Sequence, residues 1–546
     1  MISRLPPLLR SPAFWLLLAV FAAEFWMFDQ AGARRHTAVY PRFNDQVQYL
    51  TESYTGYEFA RSRGIVAGLL NALTNPSAQG TLHDVWAIAL FHVAGPSRSA
   101  ALALNMLALI GWQLALFLAL ARTTGSRPLA FAAALLPLAL AGPWRDVPGS
   151  AYDFRLDHLA MCALGVTAAM ALLADGFHSR RGSSWFGLAV GLTLLTRFLT
   201  GTYFVLIFAG LAAWVLLSRA PDRGVRLGNL LRAAVTAFVI AAPFFWLNYD
   251  TVRDYYWIGH YVGPESAIRN QQFGFGRSLQ YVFSHLGERH LGLAFGAVAL
   301  AGAALLAAVR TRPRQPANRD AWIVGAIFLL APAAILILHV QKSEVVVGAL
   351  APGAVVLVAA LWAAAAQRTG ETARAAFATV VTLAALGLFA RAQLTPAFTP
   401  AQLAELRQVN TFADRIHARW QARPKPPGQP DRGPRVAVDH ITDALDAQVL
   451  RVVIYERHRV LLPLEMTLPT GIAEPAEADV SGRLANSDFV FVTDGDMAGP
   501  YPYDRKLAAL RPNVHGWCLA NLRPAERFTL LGRRMVLYQR RELPFP

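Results

Sequence analysis

After the first long apolar segment, residues 41–52 read PRFNDQVQYLTE. In a helix entered through Pro41 to Phe43, Asp45, Tyr49 and Glu52 recur at i, i+4 and i+7 and share one face. That sets two carboxylates and a phenol at a membrane surface, with Asp45 as the candidate chemical centre. The same residues also describe an amphipathic helix lying on the headgroups with its polar face in water. Three cations could join them: Arg155 in YDFRLD, Arg197 between two apolar runs, and Lys342 at the end of another. Each has a structural reading too. Asp153 and Asp157 lie within a turn of Arg155 and can neutralise it, and a helix-end lysine such as Lys342 snorkels to water.

These residues must be positioned by a membrane. Of 546 residues, 55% are hydrophobic and 16% charged, far too apolar for one soluble core of this length. The net charge of +16 is unevenly spread: from residue 400 onward 20 Lys and Arg stand against 17 Asp and Glu, so most of the excess belongs to the apolar part. Arginines in short loops between apolar runs satisfy the positive-inside rule, and no basic run with interleaved aromatics points to nucleic acid. Cys162 lies in an apolar segment and Cys518 in the tail, which predicts two unpaired thiols. Arg4 and Arg10 precede an apolar run that ends in Phe25, Trp26, Met27 and Phe28 without a small-residue cleavage pattern, as in a retained signal anchor.

With about 20 apolar residues per span, the candidates are 12–29, 98–121, 128–143, 157–174, 185–197, 199–218, 229–247, 291–309, 321–340, 344–366 and 375–391. That is about eleven, the stretch around Arg197 being either one long helix or two joined by a short turn. Arginine-bearing connections alternate along the chain and put the N-terminus in the cytoplasm. The loop at 30–97, the Asp153–Asp157 turn, the loop at 248–290, the Gln341–Ser343 turn and the tail then share the outer face. In the first outer loop, 64–73 and 82–95 are apolar but too short to span, which suits interfacial helices. The loop at 248–290 is rich in aromatics and Gly, as a mobile flap or an aromatic belt would be. Residues 392–434 form a linker that ends in the proline-rich stretch QARPKPPGQPDRGP. Beyond it RVAVDH and SDFVFVTDG read as strands, TDALDAQVLRVVIYER as a helix, and FTLLGRRMVLYQR as a hairpin turning near Gly532. The predicted fold is a polytopic α-helical membrane domain, 1–391, followed by a small extracytoplasmic α/β domain, 435–546.

This layout resembles the C superfamily of membrane glycosyltransferases, particularly the bacterial branch similar to protein O-mannosyltransferases and lipid A aminoarabinose transferases. FNDQVQYLTESY matches the family's loop entry, with Asp45 in the position of its acidic residue. QGTLHDVWAIALFHVAGPSRSAALALN at 79–105 looks like its short interfacial helix and turn before the second span, although Gly80, Thr81, Leu82 and His83 replace the usual His-Pro-Pro. In LHVQKSEVVVGALAPGAVV at 338–356, Lys342 and Pro352 resemble a late Lys and proline pattern, with Val346 where an aromatic is expected.

The resemblance implies an inverting enzyme of the bacterial inner membrane that moves a sugar from a polyprenyl phosphate to an acceptor at the periplasmic face. Such a reaction needs a base for the acceptor hydroxyl and cations for the departing phosphate. Asp45 is then the base, Lys342, Arg155 and Arg197 bind the donor phosphate, and Tyr49, Glu52, Asp153 and Asp157 support them. Asp153 or Asp157 aids metal or sugar binding; metal dependence varies across the superfamily, and two carboxylates leave a divalent ion open. Buried charges on many helices also describe a transporter, though no repeated halves or paired broken helices are present. A membrane scaffold or sensor with a partner-binding tail is a third reading. Sugar and acceptor are not encoded in these motifs.

Overall fold

The computed structural model describes residues 12–42, 44–218, 221–263, 266, 273–309, 319–422, 435–438, 445–467, 477–494 and 504–541. They divide into two compact units: residues 1–31, 60–93 and 100–395 form one, and residues 32–59, 94–99 and 396–546 the other.

The first unit is helical. Among the described residues nine helices are long and apolar enough to cross a membrane, from Pro12–Arg35 to Glu371–Leu394, and they match nine of the expected spans. The other two differ for local reasons. The run at 128–143 contains Pro137 and Pro143, and proline removes an N–H donor and clashes with the preceding turn. Its helix stops at Ala134, and tight turns at Leu136–Ala139 and Gly142–Trp144 follow, all buried. The run at 185–197 is helix Arg180–Thr196, whose 17 residues begin with two arginines. Around Arg197 the chain makes two helices, the second being Thr200–Leu217.

The apolar segments too short to span form helices Ile65–Thr74 and Leu82–Ala94. In the loop at 248–290, wide π-type turns cover Arg253–Val262 and Leu286–Leu291, and an α-helix covers Phe275–His285. Residues 264–265 and 267–272 of that loop lie outside the described residues. Several polar groups inside the bundle are paired across helices. Glu24, fully buried on the first span, accepts from Gln113 Nε2 at 3.5 Å. Asn105 donates to the carbonyls of Ala151 and Asp153 at 3.1 and 3.0 Å, Tyr152 stacks on Phe28 at 4.6 Å, and its hydroxyl donates to Gln393. These contacts tie the 150–155 turn to the surrounding helices.

The second unit is built on a five-stranded sheet of order β2-β1-β3-β5-β4, where β1 is Val436–Val438, β2 Leu464–Met466, β3 Phe489–Thr493, β4 Leu522–Leu530 and β5 Arg533–Arg540. β1 runs parallel to β2 and β3, and β5 antiparallel to β3 and β4. The hairpin turns at Leu531 and Gly532, both at positive φ. The expected linker at 392–434 is corrected in its first half: Pro400–Gln421 is a helix started by a Thr399–Gln402 capping box. It belongs to this unit because Phe412 packs on Phe491 and Phe528 at 5.0 and 5.5 Å, while Arg415 and Arg419 both reach Glu526. Residues 423–434 lie outside the described residues. Both cysteines are free and buried.

Candidate functional site

The break at Arg197 is made by the chain on both sides of it. Arg197 has extended backbone, φ −153°, between the two helices. The loop ahead of Leu82–Ala94 pairs with this break: Phe198 N donates to Gln79 O at 2.9 Å and Thr81 N to Leu195 O at 2.9 Å. Gly80, at φ +145°, lies so near that a Cβ would come 2.4 Å from the Thr196 carbonyl oxygen. The departure Gly80-Thr81-Leu82-His83 therefore has a structural use. It lets the loop ahead of Leu82–Ala94 lie directly on the chain that presents Arg197.

Asp157, in the first turn of helix Leu156–Leu173, gathers the cations. Its Oδ1 pairs with Arg197 Nη1, and its Oδ2 stands 3.4 Å from Arg155 Nε. Asp153 is fully buried, 3.8 Å from the same Arg155 Nε, and accepts 2.6 Å from Gly149 N. Gly149 is at φ +80°, where a Cβ would meet Val345 Cγ1 at 2.4 Å. The guanidiniums are partly exposed, 19% for Arg155 and 15% for Arg197. Asp157, Arg197, Thr200 and Tyr203 line a small, half-open pocket together with Met161, Leu164, Val345 and Val346. Its polar groups are the Arg197 guanidinium and the Asp157 carboxylate, set against an apolar lining, with Arg155 on the other oxygen of Asp157.

Lys342 has a different use in this geometry. Its Nζ donates to the carbonyls of Leu336, Ile337 and His339 at 3.0, 2.8 and 2.6 Å, closing the C-terminal end of helix Arg319–Leu338. All three ammonium protons are directed to backbone, which adds a helix cap to the phosphate-binding role expected of Lys342. Asp45, Tyr49 and Glu52 lie in the other unit, on helix Asn44–Arg63. They share one face as the spacing requires; Asp45 is half-buried in the first turn, Tyr49 is buried, and Glu52 is exposed and accepts from Gln48 Nε2 at 2.8 Å. Phe43 lies outside the described residues.

His83, expected at an interface, is fully buried and stacks on Phe154 at 4.1 Å. Among the described residues no group of three or more His, Cys, Asp or Glu is arranged to hold a metal ion. Asp153 and Asp157, assigned to metal or sugar by sequence, have guanidiniums and a backbone amide as neighbours. Tyr203, buried beside the pair, and Arg98 were not singled out by sequence. Tyr203 reads there as one more aromatic in an apolar run.

The helical bundle and the C-terminal α/β unit make up a fold that solved structures share. The chain is similar to ArnT from Cupriavidus metallidurans in two crystal structures. Bound to undecaprenyl phosphate, that protein aligns with a TM-score of 0.60 and 14% identity over 96% of this chain and 98% of its own. In the apo state the values are 0.61 and 15%, over 96% and 97%. The archaeal oligosaccharyltransferase AglB from Archaeoglobus fulgidus is a looser likeness, TM-score 0.41 at 13% identity over 87% of this chain and 69% of its own. No protein-family model and no curated protein matches the sequence.

Proposed function

We propose that this chain is an inverting glycosyltransferase that takes its sugar from a polyprenyl phosphate at the periplasmic face of a bacterial inner membrane. The observation that carries the reading is the full-length likeness to ArnT, whose structure holds undecaprenyl phosphate. The Arg155–Asp157–Arg197 cluster beside an apolar pocket supports it independently, because a polyprenyl phosphate joins an anionic head to a hydrocarbon tail. In the reaction the Asp45 carboxylate takes the proton of an acceptor hydroxyl, and that oxygen bonds to the anomeric carbon. The bond from anomeric carbon to phosphate oxygen breaks, its electron pair leaves with the lipid phosphate, and the anomeric configuration inverts. Arg155 and Arg197 meet the charge gained by that phosphate. Any divalent ion, the sugar and the acceptor are left to experiment.

The test is comparison of polyprenyl-linked and surface glycans by mass spectrometry in strains with the wild-type protein, without it, and with Asp45→Asn. The product is expected to vanish in both altered strains while its lipid-linked precursor accumulates. Undiminished product with Asp45→Asn removes the base assignment, and an unchanged glycan profile without the protein removes the reading. A tag after Pro546 is expected to be cut by protease added to spheroplasts; protection would reverse the assigned topology.

A further inference from the structure

The reading above makes Asp45 the base, and the next inference rests on it. Within the C-terminal unit, the helix that carries Asp45 is tied to helix Ala447–His458 by a reciprocal arrangement. Tyr54 and Tyr455 stack with ring centroids 4.6 Å apart. Tyr54 Oη donates to Glu456 Oε1 at 2.9 Å, and Tyr455 Oη donates to Glu58 Oε1 at 2.6 Å. Each helix thus supplies one phenol and one carboxylate. Tyr54 is fully buried, and burial together with the neighbouring carboxylates pushes both phenols well above the usual tyrosine range, so both remain hydrogen-bond donors.

A second set of bonds joins the entry of the same segment. Arg98, 4% exposed, donates to the carbonyl of Thr37 at 3.1 Å and to that of Val39, and its Nη2 lies 3.4 Å from Glu456 Oε2. Arg459 donates to the carbonyl of Pro96. Glu456 therefore meets both the Tyr54 phenol and the Arg98 guanidinium.

We propose that the C-terminal unit is part of the working enzyme, and that Tyr54, Glu58, Tyr455 and Glu456 are positioning residues that fix the helix carrying Asp45. Tyr54 lies nine residues beyond Asp45, about 13 Å along the helix axis. A tilt of about 5° at Tyr54 then moves Asp45 by roughly 1 Å, and a misplacement of about 1 Å can lower a rate about 10²-fold.

The full-length protein in nanodiscs tests this with Glu58→Met, which removes the acceptor of Tyr455, and Glu58→Gln, which keeps an oxygen acceptor. Three quantities are read: hydrogen exchange across residues 44–59, binding of undecaprenyl phosphate by native mass spectrometry, and glycan product in the dependent strain. Glu58→Met is expected to exchange at least about tenfold faster over 44–59 and to lose at least about tenfold of its product. Its helical content and undecaprenyl phosphate binding should stay at wild-type values, and Glu58→Gln should match wild type throughout. Unchanged exchange or product in Glu58→Met overturns the proposal, as does equal damage from Glu58→Gln, which would mean the charge rather than the hydrogen bond is needed. If Asp45→Asn keeps its product, the base assignment fails, while the exchange arm still decides whether the tyrosine pairs order this helix.

Discussion

Asp157 holds Arg197 through one carboxylate oxygen while its other oxygen faces Arg155, so one acid orients two cations from either side of a helix break. Removing its charge leaves two partly buried guanidiniums without their shared counter-ion, a change of the kind that costs about 3–5 kcal/mol. Asp157→Asn is expected to lower the thermal midpoint of the purified protein clearly. Arg197→Lys keeps the charge but not the planar fork, and is expected to melt near wild type while binding undecaprenyl phosphate about tenfold more weakly. Equal binding by Arg197→Lys and wild type would take Arg197 out of the lipid-phosphate site.

Lys342 separates capping from phosphate binding. With its ammonium on three helix-end carbonyls, Lys342→Met is expected to destabilise by about 1–2 kcal/mol and to change undecaprenyl phosphate affinity less than about threefold. Thermal unfolding and a lipid titration on the same sample read both. A large loss of affinity without a change in melting would make phosphate binding its main role.

Gly80 tests the contact between the interfacial loop and the Arg197 break. Alanine there faces both an unfavourable φ of +145° and a collision with the Thr196 carbonyl, together worth about 1–3 kcal/mol or more. Gly80→Ala is expected to lower the melting temperature and to cut glycan product at least about tenfold by displacing Arg197. Wild-type behaviour in both would show that the loop adapts at no cost.

The C-terminal unit should lose stability with acid through a defined cluster. Asp414 accepts from Arg457 at 2.6 Å through each oxygen and lies 2.8 Å from His458 Nε2, and hydrogen bonding from Arg457 is the main reason its carboxyl is held below the usual value. His417 stacks on His458 at 3.8 Å, and burial first, then the His458 ring, lowers it from 6.5. The signs agree. A lowered imidazole contributes stability that is whole above pH 6.5 and declines as pH falls toward its folded value, and a lowered Asp contributes above its unfolded value of 3.8 and is lost below it. The midpoint for unfolding of this unit in the full chain is expected to fall from pH 7 to pH 4, with a shallower slope below pH 6.5 in His417→Phe. An identical slope in the variant would remove His417 from the acid response.

Much of the architecture was legible because the signals that define it are local. Hydropathy and length marked nine of the spans and the short helices Ile65–Thr74 and Leu82–Ala94, and short apolar runs bounded by polar turns marked β1, β3 and the hairpin at Gly532. Asp45, Tyr49 and Glu52 do share a helix face, since 3.6 residues per turn requires it once the helix forms. Where composition and geometry parted, the cause was also local in principle but outweighed in reading: Pro137 inside an apolar run, and a capping box inside a segment taken for linker.

The site itself was only half legible. Residue type singled out Arg155, Asp157, Arg197 and Lys342, and three of them do gather, but hydropathy cannot say which donor faces which acceptor. Lys342 points back at its own helix end because three unsatisfied carbonyls lie within its reach. Arg197 meets Asp157 because a glycine loop packs on the break between two helices. Tyr54 and Glu456, 402 residues apart, carry no mutual signal in the chain; their hydrogen bond exists because the tertiary fold lays one helix on another, and only there do a phenol and a carboxylate leave water together.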